Sequence, residues 1–155
     1  MGPVTLVVVD AGSDAAQWAM AQYFAELDER FPTGFDAGDG LAEARKHLNP
    51  PHGVFVVASR GDDVIGCGGV TFLDEITAEI KRMWVSSSAR REGLGKRLLA
   101  RLEDEAREAG MQRVVLDTNR TLDAAQAMYL GADYEDIERY NDNPYAQRWF
   151  AKVLA

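Results

Sequence analysis

The 155-residue chain holds one cysteine, Cys67, and only two histidines. No apolar run in it approaches the ~18–20 residues of a membrane span. A single cysteine excludes an internal disulfide and fits a reducing cytoplasm. Cys67 reads as a small buried hydrophobe, since no cation stands beside it to activate a thiol. His47 and His52 flank Asn49-Pro50-Pro51 with no third ligand nearby, so they read as surface residues and no metal site is expected. Positive charge is in deficit. Seventeen basic against 25 acidic residues give a formal net charge of -8. A broad basic face is therefore missing, which argues against nucleic acid as a partner. The acidic balance suits cationic substrates, and solubility alone also accounts for it. Repeats, low-complexity tracts and linkers are absent, and one domain over 1–155 is expected, burying roughly 68–70% of its unfolded surface. Val4 to Val9 ends at Asp10 without a basic flank, so it reads as a strand and not a signal peptide. Leu6 stands where a myristoylation motif requires Ser or Thr. Asn119-Arg120-Thr121 is a formal glycosylation sequon that nothing routes to a secretory compartment.

What the chain does have is concentrated between Glu79 and Gly110. The pattern predicts a strand from Glu79 to Val85, a polar turn at Ser86 to Ala89, a basic glycine loop from Arg90 to Lys96, then a long helix. Leu94, Leu98, Leu102, Ala106 and Ala109 recur every three or four residues, and Leu99 widens the stripe. Gly110 occupies the left-handed position that ends a helix. A glycine loop opening a helix receives anions because its backbone can approach a ligand closely and its first N–H groups are unpaired at the positive end of the dipole. Residues 90 to 101 carry Arg90, Arg91, Lys96, Arg97 and Arg101 against one acid, Glu92. A local +4 in an acidic chain points to a specific phosphate-bearing ligand.

Arg90-Arg91-Glu92-Gly93-Leu94-Gly95 resembles the R/Q-x-x-G-x-G/A loop of the GNAT superfamily of acyl-CoA-dependent N-acyltransferases, and Glu79 to Val85 looks like the strand that precedes it there. The resemblance spans nearly the whole chain and is weakest before about residue 50. It implies an α/β fold of the GNAT type: a mixed, mostly antiparallel sheet of six to seven strands, helices on both faces, a splayed parallel pair, and the order βααββββαβαββ. The remaining elements read accordingly. A helix capped by Ser13 or Asp14 presents Ala16, Met20, Tyr23, Phe24 and Leu27, and a short helix follows from about Leu41 to Leu48. Strands Val54–Ser59 and Val64–Phe72 are joined by a hairpin turn. Gly66-Cys67-Gly68-Gly69 inside the second marks a bulge or a close backbone approach. A third strand runs from Thr77 to Val85. Beyond the long helix come a buried strand at Arg113–Asp117, a helix capped by Thr121 or Asp123, a strand from Tyr134 to Ile137 and a last strand at Arg148–Leu154.

The resemblance also implies a chemistry. Arg90, Arg91, Glu92, Gly93, Leu94, Gly95 and Lys96 would contact the diphosphate of coenzyme A. Many relatives have glycine where Arg91 stands, so this loop would be stiffer, or Arg91 would reach a phosphate itself. The backbone at Met83, Trp84 and Val85 would pair with the pantetheine arm of acetyl-CoA, with Glu79, Lys81, Met83 and Val85 on one face of the strand. Asn119, Ala125 and Met128 would line the cofactor. Glu79 would relieve the attacking amine of its proton, its alternative being a surface carboxylate paired with Lys81. Tyr129 would protonate the departing sulfur, and its place on an apolar stripe is compatible with that role. Ala132-Asp133-Tyr134 stands where relatives have a glycine before an aromatic, so the helix end there would shift, with Gly131 as the alternative breaker. The Asn141-Asp142-Asn143-Pro144-Tyr145 turn would border the acceptor pocket, and 31–40 could line it. The expected function is an N-acetyltransferase acting on a small-molecule or protein amine. The rival is a non-catalytic acyl-CoA-binding module. Homodimers are common in the family, but no segment of this chain specifies one.

Overall fold

A computed structural model describes residues 2–154. Its strands are β1 (Val4–Val9), β2 (Gly53–Arg60), β3 (Asp63–Phe72), β4 (Thr77–Val85), β5 (Arg113–Thr118), β6 (Glu135–Ile137) and β7 (Arg148–Val153). Its helices are α1 (Asp14–Arg30), α2 (Gly40–His47), α3 (Leu94–Glu108) and α4 (Asp123–Gly131). The strands form one sheet in the order β1-β2-β3-β4-β5-β7-β6, antiparallel except at β4–β5. Between α2 and α3 lie three strands, one fewer than the family order as read from the sequence.

The sheet is sandwiched. On one face α3 buries Leu94, Leu98, Leu99, Leu102 and Ala106 against Val54, Val56, Val70, Ala78 and Ile80, with Tyr129 of α4 joining the same core. On the other, Ala16, Ala19 and Met20 of α1 and Ala44 of α2 cover Phe55, Val57, Cys67 and Trp84. Ser13 caps α1, its Oγ accepting from the Ala16 amide. Thr121 does not cap α4, because its hydroxyl and amide both donate to Asn119 Oδ1. The α3 stripe stops one turn early: Ala109 is the exposed C-cap, and Gly110 takes the left-handed φ of 86°. At the end of α4, Asp133 adopts φ 73° in the glycine position, which a short polar side chain tolerates better than a branched one.

Two irregularities of β4 create the site. Its parallel pairing with β5 runs only from Thr77↔Arg113 to Glu79↔Val115, while β5 stays paired to β7 as far as Thr118. The strands therefore part beyond Glu79. β4 is also bulged. Gly69 pairs with Lys81 and Cys67 with Trp84, so Arg82 and Met83 together oppose Gly68, and Arg82 takes φ 61°. The bulge resets the side-chain alternation. Met83 and Val85 pack with the α3-side core that holds Ala78 and Ile80, whereas Trp84 turns to the α1 side. Glu79 and Lys81 thus do not share a face with Met83 and Val85, contrary to simple alternation. The glycine-rich run on β3 makes room for this: a Cβ on Gly68 would lie 2.8 Å from both Leu102 and Met83.

Candidate active site

The glycine loop is built from residues that hold it and residues left free. A single 3-10 turn at Ser87–Ala89 leads into it. Arg90 then folds back, its guanidinium donating to the Val85 carbonyl and pairing with Glu26 of α1. Glu92, the loop's one acid, is paired with Arg60. Arg97 and Arg101 donate to the carbonyls of Val4 and Leu6 on β1, and Arg101 also pairs with Glu105. Three of the five cations counted in the sequence thus tie the fold together. Arg91 and Lys96 have no partner among the described residues. Arg91 stands at φ 66° and Gly93 at φ 79°, which turns the chain sharply into α3. The N–H groups of Arg91 to Lys96 donate to no acceptor among the described residues, the first helical bond being Arg97 N to Gly93 O. Nothing lies within 4 Å of where a Gly93 Cβ would be, and a Cβ on Gly95 would come 3.0 Å from Met128 Sδ. Open, unpaired amides beside two free cations fit a diphosphate.

Beyond the parting of β4 and β5 lies a cavity of about 580 Å³. Glu79 lines it and is only 4% exposed. It is neither a surface carboxylate nor an unpaired one. Lys81 Nζ stands 3.3 Å from Oε1, while Tyr140 donates to Oε2 at 2.6 Å and Asn141 at 3.3 Å. Asn141 is itself fixed, donating to Asp117 at 2.6 Å and accepting from the Trp149 indole at 3.0 Å. Asn143 gives Asp117 a second bond at 3.2 Å. Burial, then the neighbouring Glu79 carboxylate, raises the Tyr140 phenol far above its ordinary value, so Tyr140 is a permanent donor here.

Tyr129 reaches the same cavity from α4, wedged against Tyr134 and Phe150. It is 6% exposed, and its hydroxyl has no hydrogen-bond partner among the described residues. Burial pushes its pKa well up. Met128, like Met83 and Val85, packs against the α3-side core, and Ala125 lines the cavity. Asn119 also lines it, but its Nδ2 donates to the Tyr145 carbonyl and its Oδ1 accepts twice from Thr121. It clamps the Tyr145 turn and keeps one amide proton free.

Residues 31–40 and the Asn141–Tyr145 turn meet at the cavity. Phe31 stacks on Tyr145 and meets Phe35 edge-on, Phe35 tilts against Tyr145 and stacks on Phe24, and the Tyr145 hydroxyl accepts from the Asp36 amide. Asn141, Asn143, Pro144 and Tyr145 line the cavity, and so do Phe31, Phe35 and Asp36. Asp117, Tyr140 and Arg82 were not picked out from the sequence. Nothing local marks Asp117 or Tyr140. The glycines opposite Arg82 were the signal for its bulge. Cys67 is buried as expected, donates to the Arg82 carbonyl, and has its thiol pKa pushed up by burial. Among the described residues no cluster of metal ligands forms and no helix is long and apolar enough to cross a membrane.

A parallel pair that parts after three residues, in line with a glycine loop opening a helix, is the frame of the acyl-CoA-dependent N-acyltransferases. The family model described as the acetyltransferase (GNAT) family matches residues 14–132, and the chain belongs to that family. It is 34% identical over 130 residues to the IAA acetyltransferase of Azospirillum brasilense, covering 83% of this chain and 85% of that protein. Among solved structures, a GNAT-family acetyltransferase from Staphylococcus aureus Mu50 superposes with a TM-score of 0.85 at 16% identity, over 99% of this chain and 100% of that one. The yncA protein of Salmonella typhimurium, solved with acetyl-CoA, gives 0.71 at 19% identity over 98% and 94%.

Proposed function

We propose that this chain transfers the acetyl group of acetyl-CoA to a primary amine in a ternary complex. One observation carries the reading: β4 and β5 part beyond Glu79, between free amides at Arg91–Lys96 and a cavity walled by Glu79 and Tyr129. Family membership and a neighbour solved with acetyl-CoA support it. The amides of the loop from Arg90 through Glu92, Gly93, Leu94 and Gly95 to Lys96 hold the diphosphate, with charge from Arg91 and Lys96. Arg90 positions the loop through Val85 and Glu26. Main chain at Met83, Trp84 and Val85 pairs with the pantetheine arm as an added strand. Ala125 and Met128 pack against that arm, and the spare proton of Asn119 reaches its amides.

The acceptor must arrive as an ammonium and react as an amine. An alkylammonium of pKa ~10.4 is neutral in about one molecule in 2,500 at pH 7, a deficit of roughly 4.6 kcal/mol. Glu79, directly or through a water, takes that proton, a service typically worth ~10²–10⁴-fold. The nitrogen lone pair forms the C–N bond, the C–S bond breaks, and its electron pair leaves on sulfur. An amide at or beside Val85 faces the carbonyl oxygen as it gains charge. Tyr129, kept protonated by burial, meets the sulfur with its unshared hydroxyl proton and is reprotonated through Glu79 or solvent. A cytoplasmic setting suits the free thiol of Cys67 and the supply of acetyl-CoA.

Thiol release from acetyl-CoA in the presence of an amine panel tests this. Turnover by the wild type, with Glu79→Gln and Tyr129→Phe each slowed ~10²-fold or more at unchanged coenzyme A affinity, is the expected result. Binding of acetyl-CoA without turnover of any amine would reduce the protein to an acyl-CoA-binding module.

A further inference from the structure

Two cations line the cavity, Lys81 and Arg82. Lys81 is matched by Glu79. Arg82 forms no ion pair and no side-chain hydrogen bond among the described residues, and its Nε is buried without a partner. Its guanidinium lies over the Phe24 ring, 5.2 Å from the centroid. It approaches Gly40 so closely that a Cβ there would be 3.6 Å from it. Arg82 is partly buried, and a partly desolvated charge is costly to leave without a partner. It also stands on a left-handed, non-glycine backbone at φ 61°, a strained conformation that persists where its surroundings impose it. The cavity's acids do not answer it. Glu79 is held by Lys81, Tyr140 and Asn141, Asp117 is held by Asn141 and Asn143, and Asp36 accepts from the Gly38 amide. Glu43, the remaining acid, lies on exposed α2 surface.

We propose that Arg82 is the acceptor-recognition cation, and that the acceptor is a primary amine that also carries a carboxylate, an amino acid being the simplest such molecule. The proposal rests on the acetyl-transfer reading and deepens it. Arg82 lies three residues along β4 from Glu79, so the two are separated along the strand by at most ~10 Å. An amine directed to Glu79 and a carboxylate directed to Arg82 enter through one mouth. The planar guanidinium fork suits the two oxygens of a carboxylate, and Phe24 beneath it keeps that fork in place. The clustered rings of Phe31, Phe35 and Tyr145 supply an apolar wall for the rest of the acceptor. A site built to pair a partly buried charge disfavours a neutral analogue, because the charge is left without a partner.

The experiment compares the standard amino acids with their carboxamides, by thiol release and, separately, by calorimetric titration into the coenzyme A complex. At least one amino acid is expected to exceed its carboxamide ~10²-fold in kcat/KM and to bind where the carboxamide does not. Arg82→Gln should abolish that preference, and Arg82→Lys should restore part of it, with coenzyme A affinity unchanged in both. Equal use of acids and amides, or an Arg82→Gln variant that retains the preference, overturns the proposal and leaves acetyl transfer standing. If nothing is turned over, the transfer reading fails by itself, and titration still decides whether Arg82 selects carboxylates. Unchanged coenzyme A binding separates a lost contact from a misfolded variant.

Discussion

Tyr140 donates a 2.6 Å hydrogen bond to Glu79 across 61 residues of sequence. The pair joins the turn region after β6 to the point where β4 and β5 separate. Replacing Tyr140 by Phe removes the shorter of two hydrogen bonds to Oε2 of a buried carboxylate. A hydrogen bond to a charged group is worth about 1.5–3 kcal/mol, so the variant should be less stable by that amount and unfold at a lower denaturant concentration. Its kcat should fall several-fold because Glu79 is less firmly aimed. An unchanged denaturation midpoint would mean that the bond is not formed in solution.

Tyr129 and Tyr134 are both buried, yet their hydroxyls differ. Tyr134 donates to Glu103 at 2.8 Å, while Tyr129 has no partner among the described residues. Tyr134→Phe should cost about 1–3 kcal/mol of stability, since Glu103 is left with Lys152 and a distant Arg107. Tyr129→Phe should leave stability unchanged or slightly higher and strike kcat instead. Thermal melts beside steady-state rates separate the two.

Four tyrosines share a raised pKa, in each case chiefly from burial: Tyr23 to about 12, and Tyr129, Tyr134 and Tyr140 higher still. Unfolded, each would ionise near 10. The native state therefore holds protons that the unfolded state gives up. The associated stability is complete below pH ~10 and drains away as the pH rises toward the folded values. Ultraviolet titration should find these four phenols un-ionised until the protein unfolds, and the melting temperature should drop steeply above pH ~10.

Arg91 stands in a left-handed conformation that glycine adopts freely. Arg91→Gly relieves strain in the folded loop and loosens the unfolded chain, two effects of about 0.5–1 kcal/mol that oppose each other. The melting temperature should barely move. Coenzyme A affinity should fall by roughly two- to fivefold, as for one exposed ion pair, and should become less sensitive to salt. Isothermal titration at two ionic strengths reads both.

The sequence by itself determined what depends on near neighbours. The leucine stripe set α3, the glycines set the loop that opens it, and the deficit of cations made Arg90–Arg101 stand out. The family frame followed from their order along the chain. Tertiary structure decided the rest, because those outcomes depend on pairing between distant residues. Only the register against β3 shows that β4 is bulged at Arg82, which turns Met83 and Val85 away from Glu79 and leaves a guanidinium unpaired in the cavity. Only the packing of the last quarter of the chain shows that Glu79 is buried under Tyr140 and Asn141. Local pattern fixes where a side chain can point; which charges find partners is settled when segments far apart in sequence share one cavity.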